Sequence, residues 1–327
     1  MHRLVSLFIG TLLAAFASVA TSEEIAVGNY GVSANGMPFG VALVKGYFKE
    51  EGLNITGLIT SAGGGTSLRN MLAGGGVPYG EVNPGVVISA IQAGADLKII
   101  SDNVLTVAEF VWAVKPDSPI KSVKDFKGKK IGYTNPRSTS QALARMLLQA
   151  GGYTEADAEL VKTGGFGEGI AALDSGQIDV AAITEPLWSK VKHKYRAVVV
   201  ASEVLPPLDN VVGVTTVEMA EKKGDFLRAV IRARRKAVKF MIANPDEAAE
   251  IVAKQYNIEL DVAKSAVRNL TTSKTKGVPY WGEGQIHMEG LKRMIEAQRS
   301  VGAITGEVDY NKIIDTRFLP DDLKAIK

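Results

Sequence analysis

The sequence predicts an α/β protein built as two doubly wound lobes, and three observations carry that expectation. Short apolar strands alternate with amphipathic or glycine-ended helices from Ile25 to Val114, the spacing of βαβ units in a largely parallel sheet. Two prolines in Lys115-Pro116-Asp117-Ser118-Pro119 then break the pattern, and a fresh series of the same kind begins. One stretch of the first series also has a counterpart in the second.

In the first series, Ile25 to Gly28 reads as a strand, Phe39 to Glu50 as a helix ended by Gly52, and Leu53 to Ile59 as a strand. Thr66 to Ala73 is a helix stopped by Gly74-Gly75-Gly76. Val77 to Val82 follows as a strand, Val86 to Ala93 as a helix closed by Gly94, and Leu97 to Ser101 and Phe110 to Val114 as strands. The second series gives strands at Lys129 to Tyr133, Glu159 to Lys162, Asp179 to Ile183 and Ala197 to Ala201. Helices lie between them at Ser138 to Gln149 and Glu168 to Asp174. Past Leu205-Pro206-Pro207 comes the β-branched strand Val211 to Thr215, and from Asp225 the chain is mostly helical.

The echo pairs Leu72 to Pro84 with Leu173 to Pro186, the second copy being one residue longer. Both read helix, glycine stop, strand, polar residue, proline, helix. Ligands of open α/β sheets bind beyond the carboxyl ends of the strands. Asn83 in one lobe and Thr184-Glu185 in the other are therefore expected to face one cleft.

The N-terminus sets the compartment. His2 and Arg3 precede the uncharged apolar run Leu4 to Ala17, and Ser18-Val19-Ala20 supplies small residues for cleavage, with Ala20-Thr21-Ser22 as a second option. Residues 1–22 thus read as a signal peptide, too short in its apolar run to span a bilayer. The chain has no cysteine, so neither a disulfide framework nor a lipidated cysteine is expected. A freely diffusing periplasmic protein, without direct membrane insertion, is the expectation. Arg3 is the one charge in that segment, and its removal leaves 37 basic against 35 acidic residues. Such near balance gives no reason to expect nucleic acid as a partner.

The strongest local site signal is Asn135-Pro136-Arg137-Ser138-Thr139-Ser140-Gln141, between a strand and a helix. Ser138 and Gln141 have capping-box spacing, and a helix N-terminus offers free N–H groups to an anion. Arg137 and three hydroxyls add side-chain donors. An ordinary capped helix is the competing reading. Ser61-Ala62-Gly63-Gly64-Gly65-Thr66-Ser67 repeats the arrangement in the first lobe, and Gly164 to Gly169 is similarly permissive. None of these is a nucleotide fingerprint, since GxGxxG and GxxxxGK[ST] are both absent.

Catalytic machinery is sparse. His193 and His287 are the histidines beyond residue 22, too few without cysteine for common zinc sites, so no metal, cofactor or catalytic residue is expected. His193 reads as solvated, and His287 as a lone exposed histidine within reach of Glu283 or Glu289. Arg228, Arg232, Arg234, Arg235, Lys236 and Lys239 form a basic helix face that reads as solvated rather than phosphate-binding, because no aromatics interleave with it.

With these segments in view, the chain resembles the solute-binding proteins of nitrate, sulfonate, taurine and hydroxymethylpyrimidine importers, the group that shares a domain with thiamine-pyrimidine synthesis proteins. The resemblance runs from about Ile25 to Leu323 and rests on Lys45-Gly46-Tyr47-Phe48-Lys49-Glu50-Glu51-Gly52-Leu53, Ala93 to Leu97, Lys115 to Gly132, Leu173 to Pro186 and Asp315 to Leu319. It implies a type II periplasmic-binding fold and a monomer delivering a small molecule to an ABC permease. Two segments would cross between the lobes, near Val111 to Lys115 and Asn210 to Thr216. Lobe one is then 23–112 plus 214–327, and lobe two 113–213.

The family's binding positions fall on Asn29, Tyr30 and Gly31, on Ala62, Gly63, Gly64 and Thr66, on Asn83, on Asn135 to Ser140 and on Glu185. Tyr30 and Trp188 are candidates for an apolar wall. Arg137 can fork two hydrogen bonds to an acid, which points to an organic anion such as a sulfonate, carboxylate or aromatic acid. A neutral pyrimidine or flavin-like heterocycle stays open as the rival cargo. A pyrimidine-biosynthesis enzyme on the same fold is opposed by the missing cysteines and the signal segment.

Overall fold

The computed structural model describes residues 23–61, 64–73 and 77–325. The expected signal segment, Ala62 and Gly63 lie outside the described residues.

The chain begins with β1 (Glu23–Val27), α1 (Met37–Val44), α2 (Tyr47–Glu50), β2 (Ile55–Ile59), α3 (Gly64–Ala73), β3 (Gly80–Val82), α4 (Pro84–Gln92) and β4 (Leu97–Val104). The second series runs β5 (Phe110–Val114), β6 (Lys130–Tyr133), α5 (Thr139–Ala150), β7 (Glu159–Lys162), α6 (Phe166–Asp174), β8 (Ala181–Thr184), α7 (Leu187–Val191), β9 (Arg196–Val200) and α8 (Ala201–Val204). The return is β10 (Val211–Thr216), α9 (Val217–Lys222), α10 (Gly224–Ala243), α11 (Pro245–Tyr256) and α12 (Leu260–Thr272). A hairpin of β11 (Lys274–Thr275) and β12 (Val278–Pro279), then β13 (Trp281–Gly284), α13 (Met288–Ser300) and α14 (Tyr310–Ile313), closes the chain. The helix expected over Phe39 to Glu50 is two, because Gly46 sits at φ 74° and interrupts the turn.

Two sheets result. The first has the order β13-β4-β10-β3-β1-β2. The second is β8-β5-β9 joined to β6-β7 through a parallel bridge of Ile131 to Val180, which gives β7-β6-β8-β5-β9. Strand for strand, β2-β1-β3-β10-β4 and β7-β6-β8-β5-β9 have the same plan. The echoed segments are β3–α4 and β8–α7, at equivalent places in the two sheets.

Neither sheet is as parallel as expected. β10 runs antiparallel to β3 and β4, and β5 antiparallel to β8 and β9. Each is the strand that has just crossed from the other sheet, so it enters in the reverse direction. The expected divisions at 112/113 and 213/214 cut these two strands. Pairing puts residues 110–112 in the second sheet and 211–213 in the first, so the crossings are 105–109 and 205–210. Both strands read as unbroken buried β segments, and sequence alone does not mark where such a run changes sheets.

Each sheet buries its own core. Ile25, Phe39, Ile99, Val214, Val230 and Met241 belong to the first, and Trp112, Phe126, Ile131, Leu143, Leu147 and Leu148 to the second. Met294 on α13 packs into the second core, although α13 follows β13 of the first sheet. α10 lays Leu227, Val230, Ile231, Val238 and Met241 on the first sheet. Its basic face is not simply solvated: Arg232 and Lys236 pair with Glu51, Arg235 with Glu283 and Asp322, and Arg234 is buried.

Candidate ligand-binding cleft

The carboxyl ends of β1, β3, β6 and β8 converge on a cavity of ≈ 590 Å³ that both sheets line. Its floor comes from the first sheet. Gly28 follows β1, and a Cβ there would stand 3.0 Å from the Glu81 carbonyl oxygen and 3.1 Å from Ser67 Oγ, so a larger residue would press on both. Asn35 Nδ2 donates to the Gly28 carbonyl at 3.0 Å and to Glu81 Oε1 at 2.9 Å. Glu81 is fully buried. Its Oε2 accepts from Asn103 Nδ2 at 2.6 Å and lies 3.5 Å from Arg234 Nε. Burial pushes the Glu81 carboxyl up, and the Arg234 guanidinium opposes it.

The hinge supplies the next layer. Glu109 ends one crossing and Asn210 the other, and Asn210 Nδ2 donates to Glu109 Oε1 at 2.5 Å. Burial pushes the Glu109 carboxyl up to about 8, so it carries its proton at neutral pH. Asn83 N-caps α4 through Oδ1, accepting from Gly85 N at 2.8 Å. Its Nδ2 donates to the Asn210 carbonyl at 3.1 Å and to Thr139 Oγ1 at 2.9 Å. Thr139 Oγ1 in turn donates to Asn210 Oδ1 at 3.2 Å. One hydrogen-bonded chain therefore joins both sheets and both crossings.

The rim comes from the second sheet. Ser138 N-caps α5, accepting from Gln141 N at 3.2 Å, while Gln141 Oε1 takes the Arg137 N–H at 2.7 Å. Ser140 Oγ accepts from Thr134 N at 3.0 Å and sits 2.9 Å from Ser138 Oγ. Asn135 Nδ2 donates to the Gly164 carbonyl. Arg137 is exposed at φ 64°, and its guanidinium has no ion-pair partner among the described residues. Phe110 and Phe166 meet edge to face, centroids 6.0 Å apart, as the apolar part of this wall.

Of the sequence-derived positions, Asn29, Asn83, Asn135, Arg137, Ser138, Thr139 and Ser140 line this cavity. Others do not. Tyr30 turns its ring onto Tyr256, centroids 5.1 Å apart, and donates to Gln255 Oε1 at 2.8 Å. Gly31 and Thr66 are not part of the wall, and Gly64 opens α3. Glu185 is buried against α7, accepting from Ser189 N and Oγ and from Asn269 Nδ2 at 2.8 Å. With Trp188 it borders a separate hollow that Ala108 and Val111 also line. Of the echoed pair Thr184-Glu185, Thr184 at the end of β8 lines the cavity and Glu185 does not. His287 is not a lone exposed histidine either. Its Nδ1 lies 3.0 Å from Asp209 Oδ1, and its backbone N–H donates to Asp102 Oδ2.

Asn35, Glu81, Glu109 and Asn210 were missed as wall residues, while Phe166 comes from the glycine-rich segment Gly164 to Gly169. A glutamate inside a strand pattern, as at Glu81 and just before Phe110, is the one local signal that could have found two of them.

A family model described as NMT1/THI5 like matches residues 33–248, about two thirds of the chain. The chain belongs to the NMT1/THI5-like family. Similar to this chain by sequence are riboflavin-binding protein RibY of Chloroflexus aurantiacus and the formylaminopyrimidine-binding protein of Halalkalibacterium halodurans. The first is 24% identical over 86% of this chain and 82% of RibY. The second is 28% identical over 65% of this chain and 64% of the relative. Among solved structures, the periplasmic aliphatic sulphonate binding protein SsuA of Escherichia coli superposes with a TM-score of 0.74 at 20% identity, covering 90% of this chain and 91% of SsuA. The desulfurization enzyme DSZB superposes at 0.64 and 13% identity, covering 91% and 97%. These likenesses establish the fold, a periplasmic-binding-protein architecture. No helix among the described residues is long and apolar enough to cross a membrane.

Proposed function

We propose that this NMT1/THI5-like chain is the solute-binding component of an ABC-type importer. Its cleft takes a neutral, planar, N–H-bearing heterocycle and hands it to a permease, without catalysis. The observation that carries the ligand class is the charge of the wall. Among the described residues the cavity has one cation, Arg137, at an exposed rim, against the carboxyls of Glu81, Glu109 and Glu168. Glu81 is matched by Arg234, and Glu109 holds its proton, so the floor is rich in hydrogen-bonding groups but carries no free positive charge. A desolvated anion there would be unpaired and costly. At roughly 30 Å³ per water the cavity has room for about twenty, far more than an inorganic anion fills and within the range of small-molecule sites.

The names of RibY and the formylaminopyrimidine-binding relative support a heterocycle. The fold it shares with DSZB leaves catalysis to be argued from the site, and there the wall offers neither cysteine nor histidine. One observation favours a second reading: the unpaired Arg137 suits a ligand with an acidic group, as the name of SsuA suggests.

A thermal-shift screen of riboflavin, pyrimidines, taurine, aromatic acids and nitrate tests the choice. A true ligand at 100 times its dissociation constant stabilises the fold by about 2.7 kcal/mol. Stabilisation by riboflavin or a pyrimidine is expected; stabilisation confined to taurine or nitrate would transfer the assignment to the second reading.

A further inference from the structure

A buried ion pair is weak support for a fold, because desolvating both charges offsets most of their attraction. Glu81 and Arg234 are such a pair, 0% and 2% exposed at the side chain, and they lie directly behind the cleft floor. What the pair does is visible one bond further on. The Asn35 carboxamide could in principle face either way. Here its Nδ2 sits between the Gly28 carbonyl and Glu81 Oε1, two groups that take hydrogen bonds, so the nitrogen must point to them. Oδ1 is the end left over. It receives no hydrogen bond from the described residues, and Asn35 lines the cavity. Arg234 and Asn103 hold Glu81 from behind, and Arg234 is itself anchored to the carbonyls of Gly282 at 2.7 Å and Asn103 at 2.6 Å.

We infer that Asn35 is a specificity-determining residue: its Oδ1 is a fixed acceptor that reads a ring N–H of the ligand, and the Arg234–Glu81 pair is the support that fixes it. This rests on the heterocycle reading above and sharpens it, because a ligand with no N–H leaves Oδ1 unpaired in a nearly buried place. A site built around one such bond discriminates against an analogue lacking the donor more strongly than an apolar pocket does.

The test uses two probe pairs, riboflavin with its 3-methyl derivative and thymine with 1,3-dimethylthymine, titrated calorimetrically into the purified protein and into Asn35→Leu. At least one parent probe is expected to bind the wild type about tenfold or more tighter than its methylated partner, the scale of a lost hydrogen bond. Asn35→Leu is expected to erase that preference while leaving the methylated probe nearly unchanged. The wild-type comparison needs no mutation, so it stands even if Asn35→Leu folds poorly. Equal binding of parent and methylated probes to the wild type overturns the inference, as does a preference that survives in Asn35→Leu. If neither parent binds, the heterocycle reading itself fails and the inference falls with it.

Discussion

After β1 the first lobe turns through Asn29 at φ 56°, and after β6, the strand equivalent to β1 in the second sheet, the second lobe turns through Arg137 at φ 64°. Both turns pass through a left-handed residue, two positions beyond β1 and four beyond β6, yet the walls they lead to differ. Behind the first turn stand Asn35, Glu81 and Arg234, buried and bonded to one another. The second presents Asn135 and Arg137 to solvent, followed by a ladder of hydroxyls from Ser138 to Ser140. One lobe thus offers a preorganised surface and the other an adaptable one. Duplicated topology has kept the place of the site and let its chemistry diverge. In a hinged binder that division is useful: the rigid face discriminates, and the loose face closes over what has been accepted.

The contrast breaks most readily at its buried end. Arg234→Met leaves Glu81 enclosed and unpaired, which costs about 3–5 kcal/mol in urea unfolding. A loss below 1 kcal/mol would show that the floor is not held as described. Pairing the change with Glu81→Met is expected to recover much of the loss.

Next in size is a pH effect at the hinge. The Glu109 carboxyl is raised by burial from 4.5 to about 8, so the folded state binds its proton more tightly than the unfolded chain. Stability from this group is fully present below its unfolded value and declines as pH climbs through the window to about 8. The slope is about 1.4 kcal/mol per pH unit. Glu109→Gln keeps an acceptor for Asn210 and removes the titration, so wild type and variant should diverge between pH 5 and 8. Parallel profiles would contradict the assignment.

Thr139→Val deletes the hydroxyl that ties α5 across the cleft to Asn83 and Asn210. Loss of about 1 kcal/mol from the closed form should widen the distance between spin labels placed on the two lobes. The chain's lack of cysteine makes that labelling site-specific. Thr139→Ser should behave as wild type. Smallest is Arg137→Ala at the exposed rim, within about 0.5 kcal/mol in stability. Its effect on affinity should be slight for riboflavin or thymine and large for taurine.

Much of this was legible beforehand. The alternation of elements, the echo and the capped helix at Ser138 follow from period, glycine stops and local side-chain bonding, all short-range signals. The crossings were misplaced because nothing within β5 or β10 marks a change of sheet, and partner strands are a long-range matter. Trp188 and Tyr30 were candidates for the wall, but the face of α7 and the turn after β1 decide their directions, and both point elsewhere. Asn35 and Arg234 lie 199 positions apart and form one unit only through Glu81. Nothing local to Ala34-Asn35-Gly36 announces that its amide is held from behind by α10.

The central claim is that the cleft holds a neutral, N–H-bearing heterocycle against a fixed floor. Native mass spectrometry of the protein purified from its own organism, followed by fragmentation of whatever it carries, tests this most directly. A released heterocycle with a ring N–H is the expected result; a released sulfonate or other acid lacking such a ring would contradict the account.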